Sequence, residues 1–226
     1  MSPSPAPRGR TSSYPRLCLV TPRLADTAAL TREIGDAITA GDVAAVLLRL
    51  EASDERTLIN RAKAMAAAVQ RRDAALLLDG HAEIVVRTGA DGAHLTGVPA
   101  LTDALGALKP DRIAGAGGLH NRHDAMLAGE AGADYVMFGE PDHLGGRPSL
   151  DALVERLEWW AELFQPPCIG YAANLDEVSP LTQAGADFVA LGDWIWTHAQ
   201  GPTAAVKAAA GRLAEVASRA APPLTG

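Results

Sequence analysis

A chain of 226 residues, 48% of them hydrophobic and 21% charged, has the composition of one soluble globular domain. Its net charge is −7 and its lysines and arginines are scattered, so it lacks the basic face that nucleic-acid binding requires. No apolar run approaches the roughly 18 residues that cross a bilayer, and we expect neither nucleic acid nor a membrane as a partner.

The two ends of the chain differ in composition from the rest. Residues 1–15 are rich in Pro, Ser and Arg and precede an apolar segment too short for a signal peptide, so we predict a disordered arm. Residues 219–226 are predicted to form a flexible tail, and the protein is expected in the cytoplasm. Cys18 and Cys168 lie in separate apolar runs, which favours two reduced core thiols over a redox pair.

Eight short apolar runs alternate with segments of helical periodicity. The predicted strands are 16–21, 44–50, 74–79, 92–96, 112–117, 135–140, 167–172 and 188–193. The predicted helices are 26–40, 54–71, 121–131, 149–163 and 203–218, with shorter ones near 81–88, 99–107 and 174–184. Nearly continuous apolar strands separated by helices indicate a parallel sheet that is covered on its outer face. We therefore predict a single (β/α)8 TIM barrel over residues 16–218, since an open doubly wound sheet usually has fewer strands.

One phrase precedes a strand three times, as TGADGAHL, AGADYVMFG and AGADFVALG. In each, the glycine is expected to end a helix in the left-handed conformation, and the aspartate to lie in the turn before the strand. Asp91, Asp134 and Asp187 would then lie at the strand beginnings, opposite the face where barrels of this kind place active sites. Their predicted role is structural.

The order of GADGAHL, AGGLHN, GADYVMFG, a glycine-ended strand and AGADFVALG resembles the thiamine-phosphate synthase family, including its thiazole tautomerase branch. The resemblance covers roughly residues 16–218 and implies a (β/α)8 fold. The family's synthase joins a hydroxymethylpyrimidine diphosphate to a thiazole phosphate, and Mg²⁺ holds the diphosphate. A small phosphorylated or heterocyclic ligand, and possibly a homodimer, are the partners that the resemblance implies.

The chain departs from the family pattern where the magnesium ligands are expected. The family has Asn-Asp after the third strand, where this chain has Asp79-Gly80, so the carboxylate falls one position early. After the fourth strand, Pro99 occupies the position of the second magnesium aspartate. These departures argue against Mg²⁺ as a cofactor, and Asp79 is the remaining candidate metal ligand, in a shifted geometry.

The substrate positions are partly preserved. The family's Arg-x-Lys becomes Arg49-Leu50-Glu51, its Ser-Thr-His becomes Gly118-Leu119-His120, and its Thr-x-Thr-Lys ends in Arg147. The resemblance therefore assigns Arg49, His120 and Arg147 to catalysis. It assigns Gly118, Gly170, Gly192 and Asp193 to substrate binding, the last three at the loops after the seventh and eighth strands, where barrels commonly bind phosphate.

Asp193 is the departure with the largest expected effect. A carboxylate about 4 Å from a phosphate, at an effective dielectric constant near 20, costs about 4 kcal/mol per unit charge. Two interpretations stay open: Asp193 replaces the anion seat together with Trp194, or it caps the next helix while Trp194 and Trp196 pack beneath the last helix.

Three functions follow from these residues. The first is thiamine phosphate synthesis at a degenerate metal and phosphate site. The second is a metal-free isomerase resembling thiazole tautomerase, with His120 as acid and base, since an imidazole titrates near neutral pH. The third is a non-catalytic barrel that binds another ligand or a protein.

Overall fold

The computed structural model describes residues 15–220, and the predictions for residues 1–14 and 221–226 lie outside this range. Each strand is followed by a helix. The strands are β1 (Arg16–Val20), β2 (Val43–Leu48), β3 (Ala75–Asp79), β4 (Gly92–Thr96), β5 (Ile113–Gly117), β6 (Tyr135–Phe138), β7 (Cys168–Ala172) and β8 (Phe188–Leu191). The helices are α1 (Ala28–Thr39), α2 (Glu55–Gln70), α3 (Val85–Thr88), α4 (Val98–Leu108), α5 (Arg122–Ala131), α6 (Leu150–Leu163), α7 (Val178–Gln183) and α8 (Pro202–Ala220).

The strands pair in parallel in chain order, and β8 pairs with β1, so the sheet closes into a barrel. The predicted (β/α)8 fold is confirmed. Within the described part of the chain, no helix is both long and apolar enough to cross a membrane.

Two hydrophobic cores hold the barrel together. The larger lies between the strands and the surrounding helices, and the smaller fills the barrel interior with side chains such as Cys18, Leu77 and Met137. Both cysteines are buried, as the apolar runs around them predicted. Burial raises the pKa of the Cys18 thiol to about 12, so Cys18 is an inert core residue.

The repeated glycine and aspartate phrase has the predicted structural role. Gly89, Gly132 and Gly185 all have positive φ, of 75°, 103° and 90°, next to the ends of α3, α5 and α7. The aspartate that follows each glycine accepts a backbone N–H from the neighbouring strand. These donors are Leu76 for Asp91, Ala114 for Asp134 and Cys168 for Asp187, at 2.7, 2.7 and 2.9 Å. The carboxylates therefore link adjacent strands at the amino-terminal end of the barrel.

Four strands, β1, β2, β6 and β8, end one or two residues earlier than predicted, and the differences at β6 and β8 matter for the mouth of the barrel. β6 ends at Phe138 because Gly139 turns the chain with φ of 92°. β8 ends at Leu191, and residues Asp193–Ile195 form a short 3-10 turn. Glu140 and Asp193 therefore lie in loops beyond the strands. α8 continues to Ala220, so residues 219 and 220 are helical where a tail was predicted.

Candidate functional site

A cavity of about 840 Å³ opens at the carboxyl ends of the strands. Its lining includes groups from all eight strand ends, among them Arg23, Arg49, Asp79, Thr96, Gly118, Glu140, Tyr171 and Asp193. Because the carboxyl ends of parallel strands converge in a closed barrel, residues distant in sequence meet here. The volume lies within the range of small-molecule sites.

Arg49 is held between the ends of β1 and β8. Its backbone N–H donates to the Thr21 hydroxyl at 3.0 Å, and its guanidinium Nε donates to the Thr21 carbonyl. Its Nη2 donates to Oδ1 of Asp193, and the side chains of Arg49 and Asp193 are 17% and 60% exposed. The structure therefore brings Arg49 into the cavity, where Asp193 already offsets its charge.

The residues after β8 combine features of both interpretations, an acid at the cavity and two packed tryptophans. Asp193 begins the turn after β8 and lines the cavity. The indole N–H groups of Trp194 and Trp196 donate to the carbonyls of Ala172 and Val20, at 3.1 and 2.6 Å, and both rings pack against the outer core. The tryptophans are thus structural, and Asp193 is the acid facing Arg49.

Replacing Asp193 by asparagine is expected to tighten the binding of inorganic phosphate by about tenfold, because Arg49 loses its competing internal anion. Because the Asp193 side chain is more than half exposed, its repulsion of phosphate is expected to lie between the value in bulk water and the value at an effective dielectric constant near 20. Isothermal titration calorimetry measures the change. Asp176→Asn, at an exposed acid outside the cavity lining, is the matched control. Equal or weaker phosphate binding in Asp193→Asn would show that this carboxylate does not compete for Arg49.

Arg147 is tied to the loops around it. Nη1 and Nη2 donate to the two carboxylate oxygens of Glu177 at 2.8 and 3.0 Å, and further bonds reach the carbonyls of Gly139 and Tyr171 at 3.1 and 3.0 Å. Glu177 also accepts the N–H of Ala173 at 2.9 Å. Burial opposes the charged form of Glu177, but the hydrogen bonds from Arg147, the Ala173 N–H and Asn174, together with the charge of Arg147, outweigh it and hold the Glu177 pKa below its ordinary value. Arg147 lines the cavity and links the loops after β6 and β7 through these hydrogen bonds. Its catalytic role stays a prediction.

The loop after β5 contributes His120 and Gly118. His120 is exposed and lines the cavity, and the cap of α5 is Asn121, whose side chain accepts the N–H of Asp124 at 2.8 Å. Gly118 has φ of 61°, and its N–H donates to Oε1 of Glu140 at 2.7 Å. His120 is therefore available at the rim, whereas the Gly118 N–H is already occupied.

The other two predicted glycines do not line this cavity. A Cβ on Gly170 would contact Leu157 and Leu181 in the helical layer, at 3.0 and 3.3 Å. A Cβ on Gly192 would lie 2.2 Å from the Tyr171 hydroxyl. Both glycines therefore allow close packing, and their substrate-binding role stays a prediction.

A buried polar chain joins the barrel interior to the cavity. Nδ1 of His94 lies 2.9 Å from the Tyr135 hydroxyl, and its Nε2 lies 3.3 Å from Oε1 of Glu140. Burial disfavours the charged imidazole, but the hydrogen bond and charge of Glu140, with the charge of Asp79, raise the His94 pKa above its ordinary value. His94 is thus an imidazole close to carboxylates at the cavity wall.

The glycines of β5 make room for this chain. A Cβ on Gly115 would lie 1.9 Å from the Tyr135 ring, and a Cβ on Gly117 would lie 1.9 Å from Glu140 and 2.3 Å from His94. No side chain larger than hydrogen fits at either position unless these neighbours move. Gly115 and Gly117 therefore allow these side chains to pack at the cavity wall.

The donor set does not fit a magnesium site built on two carboxylates. Asp79 is paired with Arg23, whose Nη2 lies 3.7 Å from Oδ2, while Gly80 follows with φ of 79° and Pro99 lies at the start of α4. Across residues 15–220, no group of three or more His, Cys, Asp or Glu side chains is arranged to hold a metal ion. A guanidinium beside Asp79 repels a divalent cation and already offsets the carboxylate charge.

The sequence did not identify Glu140, Arg23 or Arg156, although all three line the cavity. Arg156 donates from α6 to the carbonyls of Leu119 and His120 at 2.9 and 3.1 Å. Glu140 and Arg23 lie two and three residues beyond a strand end, and this spacing is the signal that could have found them. Arg156 lies inside a helix and carries no such signal.

Comparison with protein families places the chain among known sequences. A model of the family described as thiamine monophosphate synthase matches residues 17–195. A thiamine-phosphate synthase of Rhodospirillum centenum is 38% identical over 195 residues, covering 84% of this chain and 94% of the relative. Another, from Hyphomonas neptunium, is 37% identical over 217 residues, covering 92% of this chain and 96% of the relative.

Solved structures show the same fold at lower identity. Thiamine phosphate pyrophosphorylase from Pyrococcus furiosus superposes with a TM-score of 0.74 at 20% identity, covering 89% of this chain and 96% of that chain. A 3-hexulose-6-phosphate synthase superposes with a TM-score of 0.65 at 19% identity, covering 87% and 99%. Enzymes with different reactions share this barrel, so the structural likeness identifies the fold alone.

Proposed function

Because the chain belongs to the thiamine monophosphate synthase family, we propose that it joins hydroxymethylpyrimidine diphosphate to thiazole phosphate and releases pyrophosphate. The observation that carries this proposal is the cavity of about 840 Å³ at the carboxyl ends of the strands, with both charged and apolar walls. Two phosphorylated heterocycles require such a mixed surface. The relatives with this activity match the chain over most of its length.

The apolar wall suits the two rings. Val20, Leu47, Met137 and Tyr171 line one part of the cavity, and all four belong to the core of the barrel interior. Heterocyclic rings gain free energy when such side chains replace water at their faces. These residues would orient the rings and keep water from the carbon that is transferred.

The charged wall suits the phosphates. Releasing pyrophosphate places negative charge on the departing oxygens, and positive groups in a water-poor site stabilise that charge most strongly. Arg49 lies in the lining and is largely buried, so its guanidinium is the first candidate for this task. When a phosphate enters, it would compete with Asp193 for Arg49. The donor set of the cavity leads us to derive no step that depends on magnesium.

The decisive experiment supplies the purified protein with both phosphorylated halves and measures thiamine phosphate by chromatography, in Mg²⁺ and in EDTA. We expect product, and we expect Arg49→Gln to lower kcat/KM by about tenfold or more, since a charged hydrogen bond to phosphate is lost. Arg122→Gln, which removes an exposed arginine paired with Glu155 outside the cavity lining, should retain the activity. Absence of product under both conditions would rule out the synthase assignment.

The second candidate is a proton-transfer isomerase that uses His120. What favours it is the exposed position of this imidazole at the cavity rim, where it is not needed as the cap of α5. The assay is isomerisation of a thiazole carboxylate phosphate. Retention of that activity in His120→Ala would contradict the assigned role. If neither activity is found, the third possibility, a non-catalytic binding barrel, gains support.

Other predictions accompany this function and await direct tests. We propose a cytoplasmic protein that acts on small phosphorylated or heterocyclic ligands and has no nucleic-acid partner. A homodimer is one assembly that the family resemblance implies, and analytical ultracentrifugation tests it. Magnesium stays a doubtful cofactor, which the EDTA arm of the assay tests.

A further inference from the structure

Arg23 lies in the loop after β1, and the backbone of this loop is fixed to the next strand. Leu24 forms a parallel bridge with Leu50: its N–H donates to the Arg49 carbonyl at 3.0 Å, and its carbonyl accepts the N–H of Glu51 at 3.1 Å. Backbone hydrogen bonds of this kind limit the movement of the adjacent residue. Arg23 therefore starts from a defined position at the mouth of the barrel.

The guanidinium of Arg23 reaches the cavity wall and remains accessible. Its Nη2 lies 3.7 Å from Oδ2 of Asp79, beyond hydrogen-bond distance, while the side chains of Arg23 and Asp79 are 67% and 17% exposed. Arg23 also belongs to the cavity lining. The attraction of Asp79 orients the guanidinium, and its N–H groups stay accessible to a ligand.

The other arginines that line the cavity already donate hydrogen bonds to protein groups. Arg49 donates to Asp193, Arg147 donates to both carboxylate oxygens of Glu177, and Arg156 donates to two backbone carbonyls. An incoming phosphate must displace one of these partners, whereas at Arg23 it adds to a loose ion pair. Arg23 is therefore the guanidinium that an anion engages at least cost.

We propose that Arg23 binds the diphosphate group of the substrate directly, and that the cavity accepts this diphosphate without a divalent metal ion. The identity of the diphosphate substrate rests on the proposed function, while the anion site rests on Arg23 and Asp79. A guanidinium is always charged at physiological pH, and its planar fork matches two phosphate oxygens. Asp79 then serves as a positioning residue that holds Arg23 at the cavity.

The residue at the family's second metal position agrees with this arrangement. Magnesium in phosphate-transfer sites is held through one or two carboxylates together with substrate oxygens. Here Asp79 is paired with Arg23, and Pro99 offers no ligating side chain where the family has its second carboxylate. In this arrangement the guanidinium of Arg23 supplies the positive charge that a bound Mg²⁺ would otherwise supply.

The test measures binding of inorganic pyrophosphate to the full chain by calorimetry in EDTA, which does not depend on catalysis. Wild type is expected to bind pyrophosphate. Arg23→Gln is expected to bind it at least about tenfold more weakly, because a bidentate charged contact is lost. Arg23→Lys should be intermediate, since an ammonium keeps the charge and loses the fork. Arg56→Gln, at an exposed arginine of α2 outside the cavity lining, should match wild type.

The outcomes separate this inference from the proposed function. Pyrophosphate binding that appears only after Mg²⁺ is added, no binding under either condition, or equal binding by Arg23→Gln and wild type would each overturn it. Because Arg23 is mostly exposed, its variants should keep the wild-type thermal midpoint, which guards against unfolding. If pyrophosphate binds through Arg23 in EDTA but no thiamine phosphate forms, the inference stands and the synthase assignment fails. If thiamine phosphate forms but pyrophosphate binds only when Mg²⁺ is present, the synthase assignment stands and this inference fails.

Discussion

Replacing Gly115 by alanine is expected to lower the free energy of unfolding by about 3 kcal/mol or more. The new Cβ would lie 1.9 Å from Cζ of Tyr135, a distance that real side chains do not reach. Tyr135 is buried in the barrel interior, and its hydroxyl lies 2.9 Å from Nδ1 of His94. The ring must therefore move, and its movement breaks the polar chain that leads to Glu140.

Urea unfolding followed by circular dichroism measures this change. Gly106→Ala in α4 is the matched control, because a Cβ there meets nothing within 4 Å and the glycine has no positive φ. Alanine favours the helix, so this control should gain roughly 0.5 to 1 kcal/mol. A Gly115→Ala protein as stable as wild type would mean that the ring and β5 are not packed as the structure describes.

Glu177→Gln is the second change with a large expected effect, a loss of about 3 kcal/mol of stability at neutral pH. The side chains of Arg147 and Glu177 are only 21% and 12% exposed, and removal of one charge leaves the other largely buried without a counter-ion. Thermal and urea unfolding measure the loss. Glu155→Gln, whose pair with Arg122 is 74% and 48% exposed, should change stability by less than about 1 kcal/mol.

The Glu177 effect also predicts a pH dependence with a defined sign. The folded-state pKa of Glu177 lies below its ordinary value of 4.5, so the carboxylate contributes stability that is fully present above pH 4.5. As pH falls through the lower folded-state pKa, Glu177 becomes protonated and the difference between wild type and Glu177→Gln disappears. A difference that stays constant from pH 7 down to acid unfolding would show that the charge of Glu177 is not its source.

The secondary structure was predictable because its signals are local. Eight apolar runs and the helical periodicity between them define the alternation of strands and helices, and the glycine before each repeated aspartate marks the end of a helix. The predicted carboxyl ends were two residues too late at β2, β6 and β8, and at β6 and β8 a turn follows the apolar run within one or two residues. Hydrophobicity continues across such turns, so the pattern alone does not locate the strand end.

The candidate site was predictable only as a set of positions. Arg49, His120, Asp79 and Asp193 were expected at the mouth, and the structure places all four in the cavity lining. Gly170 and Gly192, expected beside them, contact packed side chains instead. The alternation of side chains in a strand predicts which face a residue occupies, but it does not extend into the loop that follows.

By itself, the sequence determined the barrel, its eight repeated units and the structural aspartates at its amino-terminal end, because each depends on residues close together in the chain. The tertiary structure alone decided which charges meet at the mouth. Arg49 and Asp193 are 144 residues apart, Arg147 and Glu177 are 30 apart, and the glycines of β5 admit Tyr135 and His94 from neighbouring strands. Closure of the barrel brings these groups within hydrogen-bond distance, and pairing between them decides which cations remain available to a phosphate ligand.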